Sequence, residues 1–221
     1  MAPRPNHVER PPLSRERVLR AAMGLADREG IESLTMRRLA SEVGVEAMTL
    51  YYYVANKDEI LAGIADLVAT EIELPVPGSG WKTASRQLAL ATRDALVRHP
   101  WASALWMSPI GVGPGRLRHM DAGLRAFREA GFSAALTELG FHALQNHVLG
   151  YSLQKTSFTM EDADVAEAGA GFLERLPEAE YPFLAEHVRQ HLEGTGHLDA
   201  GDFEFTLDLL LDGIERLRGE A

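Results

Sequence analysis

The stretch TMRRLASEVGVEAMTLYYY, residues 35–53, limits the fold more than any other part of the chain. Two short helical segments joined by a glycine-containing turn, following a longer helix, form a helix-turn-helix pattern. Thr35 stands where a cap for MRRLASEV is needed, Ala40 is small where the two helices would cross, and Gly44 frees the turn backbone. Val45 and Leu50 supply the apolar residues that lock the second helix onto the first. That second helix, EAMTLYYYV, turns Glu46, Ala47, Met48, Thr49, Tyr52 and Tyr53 outward, short or neutral residues suited to close approach in a major groove. Tyr51, Tyr52 and Tyr53 cannot share one core, because neighbours on a helix point about 100° apart. At least one therefore faces out as a contact residue. From the residues alone, an ordinary helical hairpin remains the alternative.

Helical periodicity dominates the rest, and the spacing predicts an all-α chain. Ser14 caps a helix whose inner face carries Val18, Leu19, Ala22, Leu25 and Ala26, and Gly30 stops it. Asn56 caps KDEILAGIADLVATEI, with Glu59 at the capping-box position. LPVPGSG (74–80) is the first clear linker. The predicted domains are residues 1–65, carrying the helix-turn-helix and a flexible N-terminal arm, and residues 66–221. Further helices are predicted at roughly 81–98, 101–107, 115–130, 133–156, 172–192 and 201–218. SPIGVGPG (108–115) is a glycine-rich turn; no strand precedes it and no Gly-Lys-Ser/Thr follows, so a phosphate loop is not indicated. TMEDADVAEAGAG (159–171), acidic and small, is expected to be an exposed, mobile loop.

Charge is distributed unevenly. The net charge of −10 argues at first against nucleic acid, yet residues 1–38 hold 8 arginines against 5 acids, including Arg4 and Arg10 of the arm. Residues 61–221 hold 13 basic and 23 acidic side chains. Local charge decides DNA binding, so a basic front on an acidic body is compatible with it. The absence of cysteine removes disulfides, thiolate zinc sites and Cys nucleophiles, and suits a cytoplasmic location. No apolar run approaches the roughly 20 residues of a membrane span, and the first residues lack a signal-peptide core. No hydrolase elbow, zinc-protease or dinucleotide motif appears, so nothing recommends an enzyme.

The run LTMRRLASEVGVEAMTLYYYVANKDEILAGIAD resembles the DNA-binding domain of the TetR family of bacterial repressors, strongly over residues 14–65. Thr49-Leu50-Tyr51 and Asn56-Lys57 fall at the family spacing. FEFTLDLLLDGIERL resembles the last helix of the tetracycline-repressor branch. The resemblance implies a DNA contact from Arg37, phosphate contacts from Thr49 and Tyr51, and a phosphate beside Lys57. It implies that Tyr52 and Tyr53 lie at the DNA-facing edge, with one of them packed partly inward. Ala47 and Met48 depart from the Gln and Pro of the tetracycline repressor, so a different operator is expected.

The resemblance also implies a homodimer through a four-helix bundle and a small-molecule effector. The last helix carries Phe203, Leu207, Leu210, Leu211, Ile214 and Leu217 as one stripe, either core or dimer face. The helix at 133–156 mixes Gly140, Ala143 and Gly150 with Leu136, Leu139, Leu144 and Val148, and is the expected second dimer helix. Trp106, Met107, Phe127, Phe141, His142, Asn146 and Tyr151 are the candidate effector site; for any one of them, core packing is the plainer reading. In the tetracycline repressor a magnesium-binding His and Glu lie in this region. Their places fall at Trp106 and Gln154, which cannot ligate magnesium that way, so no metal or other cofactor is expected. His187, His191 and His197 could bind a transition metal, but read more simply as surface histidines. The expected partners are thus a palindromic duplex, an apolar or aromatic effector and a second copy of the chain, with no membrane.

Overall fold

The computed structural model describes residues 12–108, 111–157, 162–193 and 200–220. The N-terminal arm, with Arg4 and Arg10, and His197 lie outside them. The described residues form α-helices with one short 3-10 turn and no strand. The helices are α1 (Arg15–Glu29), α2 (Met36–Val43), α3 (Ala47–Leu50), α4 (Lys57–Glu71), α5 (Trp81–Arg98), α6 (Ala102–Trp106), α7 (Pro114–Glu129), α8 (Ala134–Ser157), α9 (Asp162–Arg175), α10 (Pro182–Glu193) and α11 (Ala200–Glu220).

Two expectations are corrected. The segment read as a loop at 159–171 is helical from Asp162 as α9. Small Ala and Gly residues hid the pattern, since their sequence carries little apolar contrast. The helix read at 172–192 is interrupted, because Leu176–Tyr181 separates α9 from α10. Pro177 and Pro182 account for the break: proline has no N–H to continue the ladder and restricts the residue before it.

The chain forms two compact units. One combines residues up to Glu73 with Arg98–Asp121; the other combines Leu74–Val97 with Ala122–Ala221. In the first, α1 packs on α2 and α4, α2 on α3, and α4 on α6. Val18, Leu19, Leu25, Leu39, Leu50, Ile60 and Ile64 are all nearly inaccessible there. Gly63 lets α1 approach α4, since a Cβ would come within 2.7 Å of Leu19. At the far end, His99 Nδ1 lies 2.8 Å from Asp27 and its Nε2 lies 3.2 Å from Glu71.

The second unit is held by aromatic packing and an ion ladder. Trp81, Phe127 and Phe132 form mutually tilted or edge-on pairs with centroids 4.9–5.4 Å apart. Along α5, Lys82 meets Asp212, and Arg86 meets Asp208 at 3.0 Å and Glu204 at 2.6 Å on α11. The acids recur every four residues, so one face of α11 is committed to α5. Phe203, Leu207, Leu211 and Ile214 are buried within this unit. The apolar stripe of the last helix is therefore core for those four residues. Gly140 is likewise used inside the unit, since a Cβ there would lie 2.7 Å from the Phe127 ring.

Candidate nucleic-acid interface

The turn between α2 and α3 is built by Gly44, whose backbone is left-handed at φ 77° and ψ 38°. The Val45 N–H donates to Ala40 O at 2.9 Å and the Gly44 N–H to Ser41 O at 3.2 Å, the paired bonds of a Schellman stop. Thr35 Oγ1 caps the other end by accepting from the Arg38 N–H at 3.2 Å. The second helix of the motif is shorter than its sequence pattern predicts. It is α-helical over Ala47–Leu50 and continues as turns, with the Tyr53 N–H donating to Leu50 O at 2.9 Å. Leu50 and Val54, at 0% and 2% exposure, pin this segment to the unit core.

That anchoring decides which side chains look out. Met48 is 74% exposed, Tyr51 48% and Tyr52 87%. Glu46 is also exposed, while Ala47, Thr49 and Tyr53 are half-buried. Tyr53 is thus the tyrosine turned partly inward.

The surrounding cations divide into paired and unpaired. Arg15, Arg20, Arg28 and Arg38 are paired with Glu59, Glu16, Glu42 and Glu29. Arg37 and Lys57 are exposed and have no ion pair or hydrogen bond among the described residues. Asn56 Oδ1 accepts the Glu59 N–H at 2.8 Å, and Glu59 in turn accepts the Ala55 N–H at 2.7 Å. The hydrogen bond from Ala55, aided by Arg15, holds the Glu59 carboxyl below its usual range despite some burial. This cap fixes the start of α4 and so the place of Lys57.

The seven candidate effector residues divide between the units. In the first, Trp106 is buried with His119 edge-on at 5.3 Å, and Met107 is 61% exposed. In the second, Phe127 belongs to the aromatic core, and Phe141 abuts Gly123, where a Cβ would lie 2.7 Å from its ring. His142 and Asn146 are exposed, and Tyr151 is buried. Of the seven, Tyr151 lines a described cavity, about 210 Å³ in volume, with His147, Gln154, Asp202, Phe203 and Thr206.

His147, absent from the predicted set, stacks on Phe203 at 4.5 Å with Arg93 4.8 Å from the same ring centroid. No motif marks it in sequence; its position one helical turn before Tyr151 was the available signal. Trp106 and Gln154 offer no carboxylate or imidazole for magnesium, and no cluster of three metal-ligating side chains occurs among the described residues. His187 and His191 lie on the exposed side of α10, with ring centroids 6.1 Å apart.

A solvent-facing recognition helix pinned by Leu50, beside two unpaired cations, defines a helix-turn-helix DNA-binding regulator. The comparisons with known proteins give the family. The sequence profile for bacterial regulatory proteins of the tetR family matches residues 18–64, and that for the tetracycline-repressor-like C-terminal domain matches 74–218. The chain is 32% identical to the HTH-type transcriptional repressor DrrR1 of Streptomyces coeruleorubidus, over 99% of this chain and 84% of that one. It is 29% identical to the class D tetracycline repressor protein of Escherichia coli, over 92% and 89%. The structure of ActR from Streptomyces coelicolor in complex with actinorhodin superposes with a TM-score of 0.78, at 30% identity over 94% of this chain and 99% of that one. The chain belongs to the TetR family and is a ligand-responsive DNA-binding transcriptional repressor. The relatives it matches are regulators rather than enzymes. No helix among the described residues is long and apolar enough to cross a membrane.

Proposed function

We propose that this repressor acts in the cytoplasm as a homodimer on a palindromic operator and leaves it when a small apolar or aromatic molecule binds, without magnesium. The observation that carries the reading is the exposed surface of Met48, Tyr51 and Tyr52 beside the unpaired Arg37 and Lys57. Thr49, Tyr51 and Lys57 contact phosphates, and Arg37, Glu46, Ala47, Met48, Tyr52 and Tyr53 face the groove.

The dimer reading is supported by two outward stripes. On α8, Leu139, Ala143, Asn146, Gly150 and Leu153 recur at alternating spacings of four and three, with Leu139 68% and Leu153 45% exposed. On α11, Phe205, Leu209 and Leu217 are 66%, 55% and 52% exposed. A two-fold dimer then sets two recognition helices about one DNA turn apart.

The ActR–actinorhodin complex supports a small-molecule effector for this chain. Trp106, Met107, Phe127, Phe141, His142, Asn146 and Tyr151 are the residues whose replacement tests its site. A ligand releases DNA only by favouring the released conformation, by about 1–3 kcal/mol for a typical coupling. Titration of the protein–operator complex with aromatic compounds, with and without EDTA, tests this. Release is expected to be unaffected by EDTA, and a requirement for added magnesium would overturn the metal-free reading. A regulator controlled by its abundance alone would show no release by any compound.

A further inference from the structure

We infer that, beside the contact from Arg37 on α2, the recognition segment itself reads each operator half-site through thymine 5-methyl groups touched by Met48 and Tyr52, with Glu46 accepting from a cytosine amino group; this rests on the DNA-binding reading above. The inference begins with what the recognition segment lacks. Residues 45–55 contain no Arg, Lys, His, Asn or Gln, the side chains that make paired hydrogen bonds to the major-groove edges of guanine or adenine. The nearest amide, Asn56, has its oxygen engaged by the Glu59 N–H at 2.8 Å as the cap of α4. A bidentate contact to adenine from Asn56 would require breaking that cap.

What the segment offers is apolar. Met48 and Tyr52, at 74% and 87%, stand farthest into solvent among the large apolar side chains of the described residues of the first unit. Leu50 at 0% exposure holds them there, so the surface is presented by a fixed backbone. In the major groove the apolar group of a base pair is the thymine methyl. Methionine, unbranched and polarizable, suits a shallow methyl contact.

Glu46 supplies the polar element. It occupies the N-cap position of α3, yet its side chain makes no capping bond and has no partner among the described residues. An exposed carboxylate facing DNA is repelled by phosphates unless a base donates to it. The cytosine amino group is the major-groove donor that a carboxylate pairs with.

The test uses the full-length protein and an operator enriched from random duplexes. Each half-site thymine is replaced in turn by deoxyuridine, which removes only the 5-methyl group. The inference predicts a loss of about three- to five-fold at one or more thymines, the factor that burying one methyl gives. It also predicts that Met48→Ala abolishes the loss at one of them, and that Glu46→Gln shifts preference from cytosine towards adenine at one position. An enriched operator that tolerates uracil throughout would overturn this inference alone. So would Met48→Ala retaining the whole uracil pattern together with Glu46→Gln retaining the wild-type preference. A pool with no enriched sequence would overturn the DNA-binding reading as well.

Discussion

The Asp66 carboxylate on α4 accepts the backbone N–H of Arg116 on α7 at 2.8 Å, across 50 residues of sequence. Because α7 starts at Pro114, Asp66 does for this helix what an N-cap side chain does, lent from a different helix. Two glycines allow the approach: a Cβ at Gly113 would lie 2.4 Å from the Asp66 carboxyl carbon, and one at Gly115 would lie 2.6 Å from Asp66 O. The Arg116 side chain then donates to Trp106 O at 2.6 Å, fastening α6 as well. Asp66→Ala is expected to cost about 1–2 kcal/mol, the value of a lost cap. Gly115→Ala is expected to cost about 1–3 kcal/mol through overpacking. Urea unfolding measures both, and an unchanged midpoint for Asp66→Ala would remove the cap from the account.

Stability should fall between pH 6.5 and 4 because of His119. It is 2% exposed, and burial, followed by the nearby Arg116 charge, lowers its pKa from 6.5 to about 4. The folded state therefore resists a proton that the unfolded chain accepts. The contribution is complete above pH 6.5 and is lost as pH falls towards 4, at up to about 1.4 kcal/mol per unit. Urea midpoints across this range should decline less steeply in His119→Asn, whatever its absolute stability. Equal slopes would show that His119 is not the titrating group.

Much of the first unit is legible in the sequence. Ser14, Thr35, Gly44 and Asn56 each mark a helix end by a local hydrogen bond or a left-handed backbone, which a sequence displays directly. The Asp66–Arg116 and Trp106–His119 contacts were not legible, because they join distant residues of ordinary type. α8 and the last helix were found, but not their outward faces. α8, apolar around much of its circumference, gives periodicity without a unique phase, and on α11 the ion ladder to α5 sets the phase. Asn146, predicted to face an effector, falls in the same outward stripe as Leu139 and Leu153. Proline at 177 and 182 was a readable break that helical periodicity outweighed.

The dimer is tested by charges on the outward stripes. Leu139→Asp with Leu209→Asp should bury unpaired carboxylates in the bundle and reduce the mass seen by light scattering to a monomer, with helical content retained. Ile214, at 6% exposure, is part of the chain's own core and would report folding instead. A folded double variant that stayed dimeric would place the interface elsewhere.

Lys57→Ala should weaken binding to every duplex alike and make the salt dependence shallower by about one phosphate's share per subunit, roughly 0.9 in the log–log slope. Arg37→Ala, at the contact proposed for α2, should weaken binding and leave the urea midpoint unchanged, since the side chain is exposed and has no ion pair or hydrogen bond among the described residues. Fluorescence anisotropy over a range of salt concentrations separates these effects; an unchanged slope for Lys57→Ala would place its ammonium away from the backbone.

The central claim is sequence-specific recognition by a two-fold dimer. Its most direct test is anisotropy of the full-length protein against an enriched palindrome and a scrambled duplex of equal length at physiological salt, with the stoichiometry determined by titration. The account predicts at least about a thousand-fold preference for the palindrome, with two chains bound per duplex. Equal affinity for both duplexes, or one chain bound per palindrome, would contradict it.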